Sequence, residues 1–257
     1  MDARLSERDL AEVERSAEVA RKVVFTPQEN AQIARYLDPP ESSPFPLEYA
    51  FHLLGDVRGK TVLDLGCGSG ESVIPLIRRG ANVIAMDISP ELIALARTRL
   101  DSTGMKAVLQ VGSAYETGLG DGSIDVIFCM SLIHHLDIAK VRNEMLRVLA
   151  PHGYIVLKEP IRFSKSYAKV RNLLPAHNHI SDFEHPLSRE ELATMTEPFT
   201  VESLRYFRLP IVPLALRWFP AASKTAWKLS AWVLRNWPAA NSYATSVTMK
   251  LRRQSSV

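Results

Sequence analysis

With 257 residues, 46% of them hydrophobic and 23% charged, the chain has the composition of a globular protein, with room for one large α/β domain and additions to it. No uninterrupted run of 18 or more apolar residues occurs, which argues against a spanning helix. The charged N-terminus, MDARLSERDLAEVERSAEV, lacks the apolar stretch of a signal peptide, so a cytoplasmic protein is expected. The net charge of +3 is unevenly spread: the stretch after Glu202 holds nine Lys or Arg and no acid, which leaves −6 on the first 202 residues. Such a split points to an anionic ligand or surface met by the C-terminal part.

In chain order, Leu10, Val13, Ala17, Ala20 and Val24 recur at steps of three and four, the stripe of an amphipathic helix. A short helix is expected from Glu29 to Tyr36. The segment Asp38 to Pro46, with four prolines, breaks regular structure before a further helix from Leu47 to Leu54. From Lys60 strands and helices alternate: TVLDL, then a helix closing at Gly80; NVIAMDI, then a helix opened by Pro90; KAVLQV; SIDVIFCM, then a helix capped by Asp137; and GYIVLKE. This alternation implies parallel βαβ units with right-handed crossovers. Past Pro160 the rhythm is lost. Ile161 to Pro186 reads as a cover, Ser188 and Glu191 form a capping box, and TVESLRYFRL and SYATSVTMKLRR read as the last strands. Between them, Ile211 to Trp237 reads as helix broken near Pro213 and Pro220. Three regions follow: a helical cap over 1–55, a core over 56–160, and a lid, substrate-side cover and final strands over 161–257.

The most informative stretch is VLDLGCGSG, Val62 to Gly70, where a strand meets a G-x-G-x-G turn before a helix. A turn this tight needs residues tolerant of positive φ, and a ligand lying across it needs bare backbone. Asp64 before the glycines suits a cationic ligand better than a pyrophosphate, and the spacing differs from the G-x-G-x-x-G of dinucleotide sites. Asp87 ends the second strand, 23 residues on, where a carboxylate accepts from ribose hydroxyls.

On these residues the chain resembles the class I S-adenosylmethionine-dependent methyltransferases. VLDLGCGSG is similar to the family's first motif and VIAMDIS to its second. Gly112 to Leu136 is similar to the third and fourth, and Leu146 to Glu159 to its last helix, turn and strand. The resemblance implies a doubly wound, mostly parallel seven-stranded sheet, Rossmann-like, with the last strand antiparallel. It implies S-adenosylmethionine as cofactor. Asp64, Gly66 and Gly68 would hold its methionine part and Asp87 the ribose. Ile88 would pack against the adenine, Ser113 and Ala114 would sit beside its edge, and Met130 would be a further cofactor contact at the end of the fourth strand. Many relatives carry Asp where this chain has Ser113, a weaker acceptor.

SLIHHL, after the fourth strand, makes His134 and His135 candidates for a general base; Tyr115 and Glu159 are further pocket candidates. The chain lacks a D/N-P-P-Y/F motif and a Pro-Cys pair, so a small-molecule acceptor is expected and no nucleic acid. O-methylation of a hydrophobic acceptor leads; C- or N-methylation of a lipid, quinone precursor or natural product is the alternative. A nicotinamide oxidoreductase and a non-catalytic scaffold are remoter rivals. Pro175 to Pro186 groups His177, His179, Asp182, Glu184 and His185 without standard ligand spacing, so no metal is expected, although Glu184 and His185 could face the substrate. Cys67 and Cys129 read as buried thiols. All four tryptophans lie between Trp218 and Trp237. Arg217, Lys224, Lys228 and Arg235 at steps of 7, 4 and 7 would share one helical face, as at a membrane interface. The bland alternative is a packed cover helix with a solvated edge. The oligomeric state stays open.

Overall fold

The computed structural model describes residues 7–22, 30–164 and 185–254. Three helices, α1 (Glu7–Lys22), α2 (Asn30–Leu37) and α3 (Pro46–Leu54), precede the sheet. Then β1 (Thr61–Leu65), α4 (Val73–Arg78), β2 (Asn82–Asp87), α5 (Pro90–Asp101), β3 (Val108–Val111), β4 (Ile124–Met130), α6 (Ile138–Val148) and β5 (Leu149–Pro160) follow in alternation. The chain closes with α7 (Arg189–Thr196), β6 (Phe199–Phe207), α8 (Ile211–Trp218), α9 (Ser223–Asn236) and β7 (Ser246–Arg253). The strands form one sheet in the order β3-β2-β1-β4-β5-β7-β6. The pairs from β3 through β5 are parallel, and β7 runs antiparallel to both β5 and β6. The expected doubly wound, seven-stranded architecture is the observed one.

Period-two alternation sorts each strand's side chains between two cores. Leu63 and Leu65, Ile127 and Cys129, and Ile155 and Leu157 face α6 and α7. Val62, Val126 and Phe128, and Tyr154 and Val156 face α3, α4 and α5. Phe51 of α3 meets Phe128 with ring centroids 4.9 Å apart, both fully buried; burial of such a side chain contributes roughly 1.5–3 kcal/mol. Helix starts are locally encoded. Ser89 accepts from Leu92 N, Asp137 from Lys140 N, and Ser188 with Glu191 completes its capping box. Cys67 and Cys129 are buried free thiols.

The C-terminal helix departs from expectation. Pro213 does not break it, because it lies in the first turn of α8, where its missing N–H has no partner to lose. The break falls at Phe219–Pro220, so Arg217 belongs to α8 while Lys224, Lys228 and Arg235 belong to α9. The four bases therefore do not share one helical stripe. The proline-rich stretch before α3 is held by arginines from this end of the chain: Arg205 donates to Glu41 O at 2.7 Å and Arg235 to Ser42 O at 3.0 Å.

Candidate active site

β1 ends at Leu65 and the chain turns at once, with φ of +73°, +53° and +80° at Gly66, Gly68 and Gly70. The turn is pinned to the end of β2. Gly66 N and Cys67 N both donate to Met86 O, at 2.8 and 2.9 Å, and Gly68 N donates to Asp87 Oδ2 at 2.9 Å. Asp87 Oδ1 accepts from Ser89 N at 3.0 Å. A carboxylate offers about four lone-pair sites, so acceptor capacity remains for a vicinal diol. Burial raises Asp87 above the usual carboxylate range, against the hydrogen bonds it accepts. Asp64 sits deeper, beneath the turn, 1% exposed, its Oδ2 accepting from Ser72 Oγ at 2.5 Å. Burial pushes it up to about 7; the Ser72 bond opposes this and the charge of Asp87 adds to it. Two carboxylates that are costly to ionise, beside a backbone turn, form a site that a cationic ligand completes.

A cleft lies over this turn, bordered by Gly66, Asp87, Ile88, Ala114, Leu132 and His135. Two further wall residues, Glu12 and Ser16, come from α1 and close it from above. The α1 stripe shows that the helix packs on something, but nothing in the sequence says on what. Ser113 and Met130 lie off the wall. Ser113 Oγ accepts from Tyr115 N at 3.2 Å within its own loop, and Met130 packs on the α3-side core.

The histidines follow β4 in a single turn of 3₁₀ helix, Ile133–His135. His134 Nδ1 lies 2.8 Å from Glu159 Oε2, both side chains buried. Glu159 Oε1 accepts from Leu132 N and Ile133 N, each at 2.9 Å, so this one carboxylate fixes the whole segment. His135 stacks beside His134 with centroids 4.0 Å apart, and its Nδ1 lies 3.3 Å from Glu12 Oε2. Burial raises the Glu12 carboxyl, but the hydrogen bond and charge of His135, with Arg15, outweigh it and hold the group below its ordinary value. Tyr115 turns away: its hydroxyl accepts from Asp137 N at 2.7 Å. His177, His179, Asp182 and Glu184 fall outside the described residues, and His185 Nε2 lies 2.8 Å from Glu191 Oε1. Among the described residues no group of three or more His, Cys, Asp or Glu is arranged to hold a metal.

A second cavity, about 910 Å³ and open to solvent, lies at the same edge of the sheet. It meets the ends of β4 and β5 and the start of β7 at Ser131, Pro160 and Ser246, and Tyr36, Phe45 and Trp227 overhang it. Ser131 borders this cavity and Leu132 borders the first. One two-residue segment therefore separates them.

The fold, the glycine turn and the carboxylate at the end of β2 together define a class I S-adenosylmethionine-dependent methyltransferase. Residues 63–157 match a family described as a methyltransferase domain. The chain is 26% identical over 198 residues to a ubiquinone biosynthesis O-methyltransferase of Bordetella avium, covering 69% of this chain and 81% of that one. It is 37% identical over 98 residues to an uncharacterized methyltransferase of Mycobacterium bovis, covering 38% of this chain and 39% of that one. In fold it is similar to a geranyl diphosphate C-methyltransferase of Streptomyces coelicolor, with a TM-score of 0.65 and 17% identity over 98% of this chain and 100% of that one. These similarities support an S-adenosylmethionine-dependent methyltransferase with S-adenosylmethionine as its cofactor.

Proposed function

We propose that the protein transfers the methyl group to an oxygen of a small, largely apolar acceptor. The carrying observation is the pair of cavities on either side of Ser131–Leu132. The name of the Bordetella relative, an O-methyltransferase of ubiquinone biosynthesis, supports an oxygen acceptor. When bound, S-adenosylmethionine supplies an electrophilic methyl carbon whose bond to sulfur breaks as the new bond to oxygen forms. The protein's part is alignment and exclusion of water. Asp87 would hold the ribose hydroxyls, Gly66 and Gly68 with Asp64 would hold the methionine part, and Ile88 and Ala114 would flank the adenine. We assign removal of the acceptor's hydroxyl proton to His135, which borders the first cavity and donates its backbone N–H to Leu132 O on the partition between the two. His134, tied to Glu159, is a positioning residue for that segment.

Calorimetry and turnover test this reading. Asp87→Ala is expected to weaken donor binding by roughly 1.5–3 kcal/mol, the scale of a lost charged hydrogen bond. His135→Ala should still bind donor and lose about 10²–10⁴-fold in turnover on phenolic acceptors. Unchanged donor affinity in a folded Asp87 variant, or full activity without His135, removes the corresponding assignment.

One feature favours a peripheral membrane contact through 211–237: Trp218 and Phe219 are 65% and 69% exposed, and Trp232 and Trp237, edge to face with each other, are exposed too. No helix among the described residues is long and apolar enough to cross a membrane.

A further inference from the structure

Strand alternation at the end of β5 sends two opposite charges to two different places. Glu159 continues the face of Ile155 and Leu157 and reaches His134, while Lys158 continues the face of Val156 and reaches the second cavity. Lys158 Nζ donates to Ser131 Oγ. Burial lowers its ammonium below the ordinary lysine value, with the charge of Glu159 opposing. The described wall of this cavity carries Lys158, Arg208 and Arg35 and no acid. Arg35 already answers Glu48 at 2.6 Å. Lys158 is therefore the positive centre, with Arg208 beside it, whose Nε donates to Thr245 Oγ1 at 3.0 Å.

The backbone marks the same spot. Among the described residues only two that are not glycine have positive φ, Ser131 at 60° and Arg208 at 61°, and both border this cavity. Side chains held in a conformation that L-residues avoid cluster where a ligand is gripped. A cation kept half-buried without a carboxylate is costly unless something anionic completes it.

We infer that the second cavity seats the methyl acceptor by an oxyanion group, a carboxylate or a phosphate, held by Lys158 and Arg208, with its apolar body against Phe45 and Trp227. This rests on the neighbouring cavity being the donor site, because the two share the Ser131–Leu132 wall. Charge on the acceptor then fixes which of its oxygens faces the methyl group.

The test uses the full chain and three probes with one body: 2-naphthyl phosphate, 2-naphthoate and 2-naphthol. Binding is read by calorimetry, with and without saturating S-adenosylhomocysteine. At least one of the two anions is expected to bind about tenfold or more tighter than the naphthol, and the stronger one identifies the headgroup. Lys158→Met, or Arg208→Met if the first variant does not fold, should bring the three to within about twofold while S-adenosylhomocysteine affinity holds. Equal or better binding of the naphthol by the unaltered protein overturns the proposal, as does an anion preference that survives both substitutions. Failure of S-adenosylhomocysteine to bind overturns the donor reading instead, and the comparison of the three probes still reads the charge.

Discussion

If Asp64 lies under the donor as proposed, it links binding to pH. Its carboxyl is held near 7 by burial in the unliganded fold, whereas an unfolded chain releases the same proton at about 4. The native state thus binds the extra proton across that window, so this group's contribution to stability falls as pH rises from about 4 to about 7 and is level above. A cationic ligand favours the ionised form, so binding below pH 7 should expel a proton, with Asp87 acting in the same direction. Titration of S-adenosylmethionine at pH 6 in two buffers of different ionisation heat should show close to one proton released. That release should vanish at pH 8 and shrink in Asp64→Asn to the part that Asp87 contributes; its absence at pH 6 refutes the coupling. The roles of Asp64 and Asp87 as carboxylates beside a glycine turn are legible in the sequence because a strand end and a turn are local features. Glu12, Ser16 and Lys158 are not, since each reaches its cavity through the packing of elements distant in the chain.

At the scale of elements, the G-x-G-x-G turn does two jobs, and its glycines are not equivalent. A Cβ on Gly68 would meet nothing within 4 Å, whereas one on Gly70 would lie 2.9 Å from Ala96 Cβ and 3.1 Å from its Cα, on α5. Both positions carry positive φ, which costs an alanine about 1–2 kcal/mol. Gly70→Ala adds a clash with helix backbone, of the kind that typically costs about 1–3 kcal/mol more. Thermal unfolding should therefore rank Gly70→Ala well below Gly68→Ala in stability, and equal losses would show that α5 shifts freely. Helix starts at Ser89, Asp137 and Ser188 are readable from the chain because caps are short-range. The division of the C-terminal helix is harder to read: Pro213 and Pro220 look alike as letters, and only position within the first turn separates the tolerated proline from the breaking one.

For the whole molecule, the uneven charge becomes a spatial question. Of the nine bases after Glu202, Arg252 and Lys250 pair with Glu202, Arg205 and Arg235 reach carbonyls of the proline-rich stretch, Arg253 donates to Leu146 O and Leu149 O, and Arg208 faces the second cavity. Arg217, Lys224 and Lys228 remain beside the exposed aromatic residues of α8 and α9. Near an anionic surface each such base adds about 1 kcal/mol, screened by salt. Co-sedimentation should show a preference for anionic over neutral vesicles at low salt that fades at high salt. Equal partition at low salt would leave α8 and α9 as cover alone. The second cavity, which α9 borders through Trp227, is separated from the first by Ser131–Leu132. One side of that partition is built mostly from β1, β2 and the loop after β3, within the stretch that matches the methyltransferase domain. The other draws much of its wall from the first fifty residues and the last fifty. A lineage can therefore trade one substrate for another by rewriting the segments that flank this stretch, while the stretch itself stays under unchanged selection.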